Sequence, residues 1–190
     1  MSSLREKRRI KNAQSIHRVA INLAAEHGLD NVTTEMISEA AGISLRTFFN
    51  YFPYKEAAFI PPEMNFTQES INSFVTSKGD LLEDLAKLIT PPFHEIEIDQ
   101  QHLKRSHDVV KQNPKLMVMR VHFVHEFESK IFNAIVNRFK DEEQQKARHI
   151  AAVISATIRL SFETWIDENE NTLANTIGDN ILSLKTLFNK

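Results

Sequence analysis

Apolar residues recur along most of the chain at intervals of three and four positions, the spacing that places side chains on one face of an α-helix. The longest such stripe lies between Pro114 and Lys140 and consists of Leu116, Met119, Phe123, Phe127, Ile131, Ile135 and Phe139. The residues that widen it are Val118, Val121, Val124, Phe132 and Val136, so we expect this helix to be buried on most of its sides. No segment keeps the alternation of a β-strand. The pattern predicts an all-α fold.

The same periodicity predicts further helices. A first helix should begin among residues 5–15 and end at Gly28, with Ile16, Ala20, Leu23 and Ala24 buried and with Arg18, Asn22 and Glu26 facing outward. Other helices are predicted at Asn65–Ser77, at Asp80–Thr90, at Gln101–Gln112, where the stripe is weak, at Asp141–Asp167 and from Leu173 to the end of the chain. Residues 93–100 are predicted to form a loop, because Pro91 and Pro92 end the helix before them.

Residues 32–55 predict two short helices joined by a tight turn. Thr33 or Thr34 can cap the first helix, and Gly42 supplies the left-handed residue that ends it. Ser44 can then cap the second helix. This is the pattern of a helix-turn-helix, in which the second helix enters the major groove of DNA.

A proline ends the second helix of this pair. Pro53 cannot continue it, and the sequence Pro53-Tyr54-Lys55-Glu56 predicts the start of a fourth helix. Pro61 and Pro62 should interrupt that helix soon afterwards.

Residues 33–56 closely resemble the DNA-binding domain of the tetracycline-repressor (TetR) family. The shared pattern is Thr-Thr-x-x-Ile-x-x-Ala-Ala-Gly-Ile-Ser-x-x-Thr-Phe-Phe-x-Tyr-Phe-Pro-x-Lys-Glu, and the likeness extends back into the first helix. The resemblance implies a three-helix DNA-binding domain over residues 1–58 and a larger helical domain for ligand binding and dimerisation over residues 59–190. It also implies a transcriptional regulator, a repressor that a small-molecule effector releases from an inverted-repeat operator.

By this resemblance, the DNA contacts fall on Thr34, Ser44, Leu45, Arg46, Thr47, Phe49, Asn50, Tyr51 and Lys55. Leu45 and Arg46 take the positions that face base edges, and a guanidinium can pair bidentately with guanine. Phe49 stands where the family usually has tyrosine, so it either approaches DNA without a phosphate hydrogen bond or belongs to the core. Tyr54 stands where a small capping residue is usual.

The charge is unevenly distributed over the 190 residues. Residues 1–58 hold eight Lys/Arg and six Asp/Glu, whereas residues 59–190 hold fifteen and nineteen. Residues 1–11 contain five cationic side chains and one glutamate, which suggests that this segment binds phosphate while the rest of the chain is acidic. The alternative is that the segment is a solvated tail. The modest positive charge of residues 1–58 argues against a purely electrostatic DNA binder.

Several classes of protein are excluded by composition. The chain has no cysteine, which excludes disulfide scaffolds, thiolate zinc sites and cysteine nucleophiles. It contains no apolar run long enough to span a bilayer and no signal-peptide core, so we expect a cytoplasmic protein. We find neither a glycine-rich phosphate loop nor a nucleophile elbow, and we therefore predict no catalytic site and no cofactor.

A ligand site is predicted in the C-terminal domain. The resemblance implies an apolar or amphipathic effector, and the candidate lining residues are Phe93, Met119, His122, Phe123, Glu126, Phe162 and Trp165. His122, His125 and Glu126 are the one cluster that suggests a metal, but their spacing supplies at most three ligands and no supporting shell, so we predict polar groups in a cavity or core.

We expect two copies to pair through their last two helices. Their stripes, Ile154, Ile158, Phe162 and Trp165 on one helix and Ile177, Ile181, Leu184 and Phe188 on the other, should otherwise leave an apolar patch exposed. The alternative to a DNA-binding regulator is a small helical ligand carrier or enzyme whose helix-turn-helix does not bind DNA.

Overall fold

The computed structural model describes residues 4–94, 99–140, 143–167 and 171–188. Its α-helices are α1 (Leu4–His27), α2 (Thr34–Ala40), α3 (Leu45–Tyr51), α4 (Gln68–Thr76), α5 (Leu81–Ile89), α6 (Pro91–His94), α7 (Gln100–Lys111), α8 (Pro114–Phe139), α9 (Gln144–Asp167) and α10 (Leu173–Phe188). Single turns of 3-10 helix occupy Leu29–Asn31 and Lys55–Phe59. The described residues contain no strand, so the predicted all-α fold is confirmed.

Contacts divide the chain into two compact units. The N-unit contains residues 2–63 and 98–123, and the C-unit contains residues 64–97 and 124–190. The boundary inside α8 lies between Phe123 and Val124. The predicted domain boundary at residue 58 lies close to the first boundary between the units, at residues 63 and 64. The sequence did not indicate that residues 98–123 join the N-terminal helices.

The core of the N-unit explains why these segments belong together. Ile16, Ala20 and Ala24 of α1 are buried as predicted, and Val109 and Val110 of α7 lie in the same cluster. The other buried members are Ile21, Val32, Ile37, Phe48, Phe52, Ala58, Phe59 and Leu116. Helix α7 therefore completes an apolar core that α1, α2 and α3 begin.

Two residues of α1 that were predicted to face outward are half-buried, because α7 and its cap Asp99 lie beside them. Arg18 donates a hydrogen bond of 3.1 Å to Asp99, and Asn22 accepts one of 3.0 Å from Arg105. The prediction was correct only in part, since the Arg18 side chain is 42% exposed while α7 covers the rest of this face. Glu26 is exposed, as predicted.

The predicted fourth helix is replaced by the 3-10 turn Lys55–Phe59. Tyr54 precedes the turn with no side-chain capping hydrogen bond, and Ile60 is extended because a proline follows it. His17 Nδ1 donates to the carbonyl of Ala58 at 2.8 Å, and the Lys115 ammonium lies 2.6 Å from Glu56 Oε1. These contacts attach the turn to α1 and α8.

Helix α8 has the predicted bounds, but its predicted burial on most sides was wrong. Ile131 and Ile135 are fully buried, whereas Val118 is 71% exposed and Val121 is 65% exposed. The stripe with the four-residue spacing meets other helices, and Val118, Val121 and Val124 point away from them. An apolar face marks where a helix can pack, but it does not set how wide the contact is.

Smaller corrections concern helix ends. Helix α4 begins at Gln68 after the cap Thr67, and Asp80 caps α5 instead of lying inside it. Pro91 and Pro92 end α5 as predicted, but they also begin α6. The loop predicted for residues 93–100 was therefore wrong for residues 93 and 94, and also for residue 100, which begins α7. Residues 95–98 of that loop, and residues 141 and 142 of the predicted ninth helix, lie outside the described residues.

In the C-unit, α9 and α10 pack on each other, and α10 also packs on α5. The stripes that we expected to be exposed in a monomer are buried within one chain: Ile154, Ile158, Trp165, Ile177, Ile181 and Leu184. Phe162 is half-buried, and the side chain of Phe188 lies outside the description. The argument for a dimer from these stripes was therefore wrong.

Candidate nucleic-acid interface

Local hydrogen bonds hold the turn between α2 and α3. Thr33 Oγ1 accepts from the amide of Met36 at 3.2 Å, and Ser44 Oγ accepts from the amide of Thr47 at 3.1 Å. Gly42 has φ +66°, the left-handed conformation predicted for it. The amide of Ile43 donates to the carbonyl of Ser38 at 2.9 Å. The cap at Ser44 and the turn are confirmed, and of the two candidates for the first cap the structure selects Thr33.

Helix α3 has a buried face and an exposed one. Phe48 and Phe52 are buried, and they attach α3 to the N-unit core. On the opposite side lie four residues that we call the reading face, namely Leu45, Arg46, Phe49 and Asn50, all of them exposed. Phe49 is 49% exposed and packs edge-on against Phe48 at 5.4 Å between ring centroids. Its alternative assignment to the core is therefore excluded.

The other predicted DNA contacts already have partners within the chain. The hydroxyls of Ser44 and Thr47 lie 2.8 Å apart, and Thr34 Oγ1 donates to Glu35 Oε2 at 3.1 Å. Hydrogen bonds from its own backbone amide, and then from Thr34 and Thr33, lower the pKa of Glu35. This keeps Glu35 charged at the positive end of α2, where an anion stabilises a helix.

Tyr51 and Lys55 mark the end of α3. Tyr51 is half-buried, and its hydroxyl accepts a hydrogen bond of 3.0 Å from the side-chain amide of Asn12. The ammonium of Lys55 donates to the carbonyls of Leu29 and Val32. Asn12 was missed by sequence reasoning, since it is an exposed polar residue among cations and no periodicity distinguishes it.

The basic N-terminal segment is helical from Leu4, at the start of α1. The side chains of Arg5, Arg8, Arg9 and Lys11 are exposed. The hydrogen bond from Asn12 to Tyr51 places this part of α1 at the end of α3. Cationic and hydrogen-bonding groups of the kind that contact phosphate therefore lie beside the helix that carries the reading face.

Residues 16–60 match the family described as bacterial regulatory proteins, tetR family. The predicted resemblance to the tetR family is confirmed over this segment. The matched residues include α2, the turn at Gly42 and all of α3, and they end just after the 3-10 turn. A comparison with curated proteins finds no match.

Solved structures share the fold of the whole chain. FadR of Bacillus halodurans, a fatty acid degradation regulator, has a TM-score of 0.56 at 20% identity, with 90% of this chain and 96% of that chain covered. NalD of Pseudomonas aeruginosa, a repressor of a multidrug efflux pump, has a TM-score of 0.56 at 16% identity, with 93% and 94% covered. Thermus thermophilus FadR in complex with lauroyl-CoA has a TM-score of 0.50 at 18% identity, with 94% and 95% covered.

The predicted ligand residues fall in both units. Met119, His122 and Phe123 belong to the N-unit, where Met119 packs on the core, whereas Phe93, Glu126, Phe162 and Trp165 belong to the C-unit. His122 and Glu126 are exposed, as is His125. Among the residues that the structure describes, no group of three or more His, Cys, Asp or Glu side chains could hold a metal ion.

Two aromatic features lie within the C-unit. Phe93 packs edge-on against Phe127 at 6.2 Å and against Phe162 at 5.8 Å, and Phe66 contacts Phe127 at 5.5 Å. Trp165 is buried, and its Nε1 donates to the carbonyl of Asn171 at 2.8 Å. We conclude that Trp165 has a structural role, since it closes the connection from α9 to α10.

A shallow groove of about 280 Å³ lies in the C-unit between α5, α6 and α10. None of the predicted ligand residues lines it; Lys87, His94 and Asp179 do. In the part of the chain that the structure describes, no helix has the length and apolar character needed to cross a membrane.

Proposed function

We propose that the chain represses transcription by binding an inverted-repeat DNA operator as a homodimer, and that a small molecule releases it. The observation that supports the proposal is the exposed reading face of α3. Phe48 and Phe52, on the other side of this helix, are buried and anchor it to the N-unit core. Arg46 can pair bidentately with guanine, and Leu45 and Phe49 offer apolar contacts to thymine methyl groups. Tyr51 and the cationic side chains of α1 would contact the phosphates of the DNA backbone.

Exposed apolar residues on the last two helices support the dimer. Val153 and Leu160 lie seven residues apart on α9, and Leu160 is 53% exposed. On α10, Leu182 and Leu187 are also exposed, the latter by 69%. Two copies related by a two-fold axis would bury these side chains in a four-helix bundle. This surface replaces the buried stripes that the sequence suggested.

The effector that we propose is a long apolar chain with a polar head, such as an acyl thioester. Thermus thermophilus FadR, which shares this fold, binds lauroyl-CoA. The aromatic cluster of Phe93, Phe127 and Phe162 is a suitable apolar wall. The effector would release DNA because its affinity differs between two arrangements of the dimer, typically by about 1–3 kcal/mol of coupling.

The DNA-binding part is tested by selecting duplexes from a random pool and measuring mobility shifts. We expect a retarded complex with two protomers on an inverted repeat. A ligand carrier or enzyme, the alternative function, would retard neither the selected duplexes nor the DNA upstream of its own gene. Light scattering should give twice the chain mass of 21.9 kDa. Leu160→Glu should convert the protein to monomer, and Val118→Glu, which alters an exposed valine of α8, is the matched control.

The effector is tested by titrating lauroyl-CoA against free and DNA-bound protein. We expect weaker binding to the DNA-bound form, by the same factor by which lauroyl-CoA weakens DNA binding, because linkage is reciprocal. Phe162→Ala, which removes a half-buried ring of the proposed apolar wall, should reduce the response to lauroyl-CoA and leave DNA binding nearly unchanged. Trp165→Ala is a poor probe, because it removes a buried side chain at a cost of about 3–5 kcal/mol in stability. Equal affinity for the two forms would contradict release by this ligand.

A further inference from the structure

The hydrogen bond between Asn12 and Tyr51 has a direction. Asn12 Nδ2 donates to Tyr51 Oη over 3.0 Å, and it joins α1 to the last residue of α3 across 39 positions of sequence. An amide nitrogen can donate but cannot accept. The phenol oxygen therefore acts as the acceptor in this contact, and its own hydrogen is directed elsewhere.

Because its oxygen accepts from Asn12, the Tyr51 hydroxyl can donate its own hydrogen to another acceptor. Its hydroxyl carries one hydrogen, and a hydrogen bond received at the oxygen polarises the O–H group and makes it a stronger donor. Arg8 lies four residues before Asn12 on α1, and Arg5 lies seven before it, so the three share one face of the helix, and all are exposed. These exposed cations attract an anion to the part of α1 that contacts Tyr51.

We propose that Asn12 is a positioning residue for DNA binding, which directs the Tyr51 hydroxyl toward a phosphate oxygen of the DNA backbone. The inference rests on the proposed function, and it adds a residue that lies outside residues 16–60, the segment that matches the family. Because phosphates are common to all sequences, Asn12 and Tyr51 contribute to affinity on every duplex and carry no base preference.

Four variants test the role of the pair: Asn12→Ala, Asn12→Asp, Tyr51→Phe, and Asn12→Ala combined with Tyr51→Phe. Affinities are measured on a duplex selected from a random pool and on a duplex of unselected sequence. Tyr51→Phe should weaken both by about three- to tenfold, the range for loss of one hydrogen bond. Asn12→Ala should weaken both by about two- to threefold, and it should have no further effect in the Tyr51→Phe background.

Asn12→Asp is the sharpest variant. Its carboxylate accepts a hydrogen bond from Tyr51, which turns the hydroxyl hydrogen away from the DNA, and it also repels phosphate. We therefore expect a loss of more than about tenfold on both duplexes, well beyond that of Asn12→Ala. Asn137→Ala, which alters an exposed asparagine of α8, is the matched control and should change neither affinity. Thermal unfolding of each variant shows whether the N-unit remains folded.

The outcomes separate this inference from the proposed function. If the wild type binds neither duplex, the proposed function fails. If the wild type binds and Arg46→Ala weakens only the selected duplex, the proposed function stands. In that case, equal losses for Asn12→Ala and Asn12→Asp, or independent effects of Asn12→Ala and Tyr51→Phe in the double variant, would overturn the positioning role.

Discussion

The ammonium group of Lys55 donates a hydrogen bond of 2.9 Å to the carbonyl of Val32. A second bond of 3.1 Å reaches the carbonyl of Leu29, at the start of the 3-10 turn before α2. Lys55, the first residue of the 3-10 turn after α3, is thereby attached to the segment before α2. The two ends of the helix-turn-helix are held together by these bonds. An ammonium has three hydrogens, so one remains available for a phosphate oxygen.

Lys55→Met should therefore affect both folding and DNA binding. Hydrogen bonds from a charged donor stabilise a fold by about 1.5–3 kcal/mol each, so for two such bonds we expect a loss of at least about 3 kcal/mol in urea unfolding. The slope of log affinity against log salt concentration should fall by about one, because one phosphate contact is lost. Lys78→Met alters an exposed lysine of the C-unit and is the control. An unchanged unfolding midpoint would show that the two carbonyl contacts contribute nothing.

Arg46 is exposed on the reading face, so its removal should leave the fold unchanged. We predict that Arg46→Ala costs about 1–3 kcal/mol of binding free energy on a selected operator and relaxes the preference at one base pair. Binding to unselected DNA should change little. Affinities for operators mutated one base pair at a time check this prediction. An operator affinity that is unaffected by Arg46→Ala would refute the assignment of this residue to a base edge.

Phe49 presents an apolar ring where a tyrosine would offer a hydroxyl. We predict that it contacts the methyl group of a thymine, since this methyl is the one apolar group on the major-groove edges of the bases. Replacing that thymine by uracil removes one methyl and should weaken binding by about 0.8 kcal/mol, roughly fourfold. Phe49→Ala should abolish the sensitivity to uracil, whereas Val118→Ala should preserve it. A wild-type affinity indifferent to every thymine-to-uracil change would contradict the contact.

His17 should make stability depend on pH. Burial lowers its pKa to about 4, which outweighs the opposing effect of the hydrogen bond to Ala58. As pH falls from about 6.5 to about 4, His17 is protonated in the unfolded chain but stays neutral in the folded chain. Up to roughly 3 kcal/mol of stability is therefore lost. His102, whose ring centroid lies 5.4 Å from that of His17, is shifted in the same direction by burial.

His17→Gln should reduce this dependence, because glutamine can still donate to Ala58 but does not titrate. Urea unfolding of both proteins between about pH 7 and pH 4 measures the difference. His149→Gln replaces an exposed histidine and should leave the wild-type profile unchanged. Parallel profiles for the wild type and His17→Gln would mean that this imidazole does not control the acid stability.

Arg138 attaches α8 to α4, to α5 and to the segment between them. It pairs with Asp84 at 2.8 Å, each side chain being 10% exposed, and it donates to the carbonyls of Phe74 and Gly79. Burial raises the pKa of Asp84, but hydrogen bonds from Ser77 and Arg138 outweigh it and lower the pKa. The charged pair therefore stabilises the fold above the usual pKa of aspartate, and this stability is lost as pH falls through the lowered one.

We predict that Arg138→Met costs about 3–5 kcal/mol, because it leaves a buried carboxylate without its partner. Adding Asp84→Leu should restore part of the loss, since the buried charge is then removed as well. Arg159→Met breaks the exposed pair with Glu163 and should cost less than about 1 kcal/mol. Unfolding free energies from urea titrations test all three. Similar losses for Arg138→Met and Arg159→Met would contradict the importance of burial.

The local features of the interface could be read from the sequence. The caps at Thr33 and Ser44, the left-handed Gly42 and the end of α3 before Pro53 each depend on a few neighbouring residues, and the structure has all of them. The long stripe of α8 likewise set its bounds correctly. Hydrogen bonds within one turn and the period of a helix are short-range properties, so the amino-acid order alone determines them.

Contacts between distant segments were decided by the tertiary structure. Helix α7 joins the N-unit because Val109 and Val110 complete a core begun by α1, and nothing near them in sequence indicates that partner. The burial of His17 and the exposure of Val118 follow from which helix faces lie together. Periodicity defines an apolar face, but the packing of the whole chain decides what covers it and how far the cover extends.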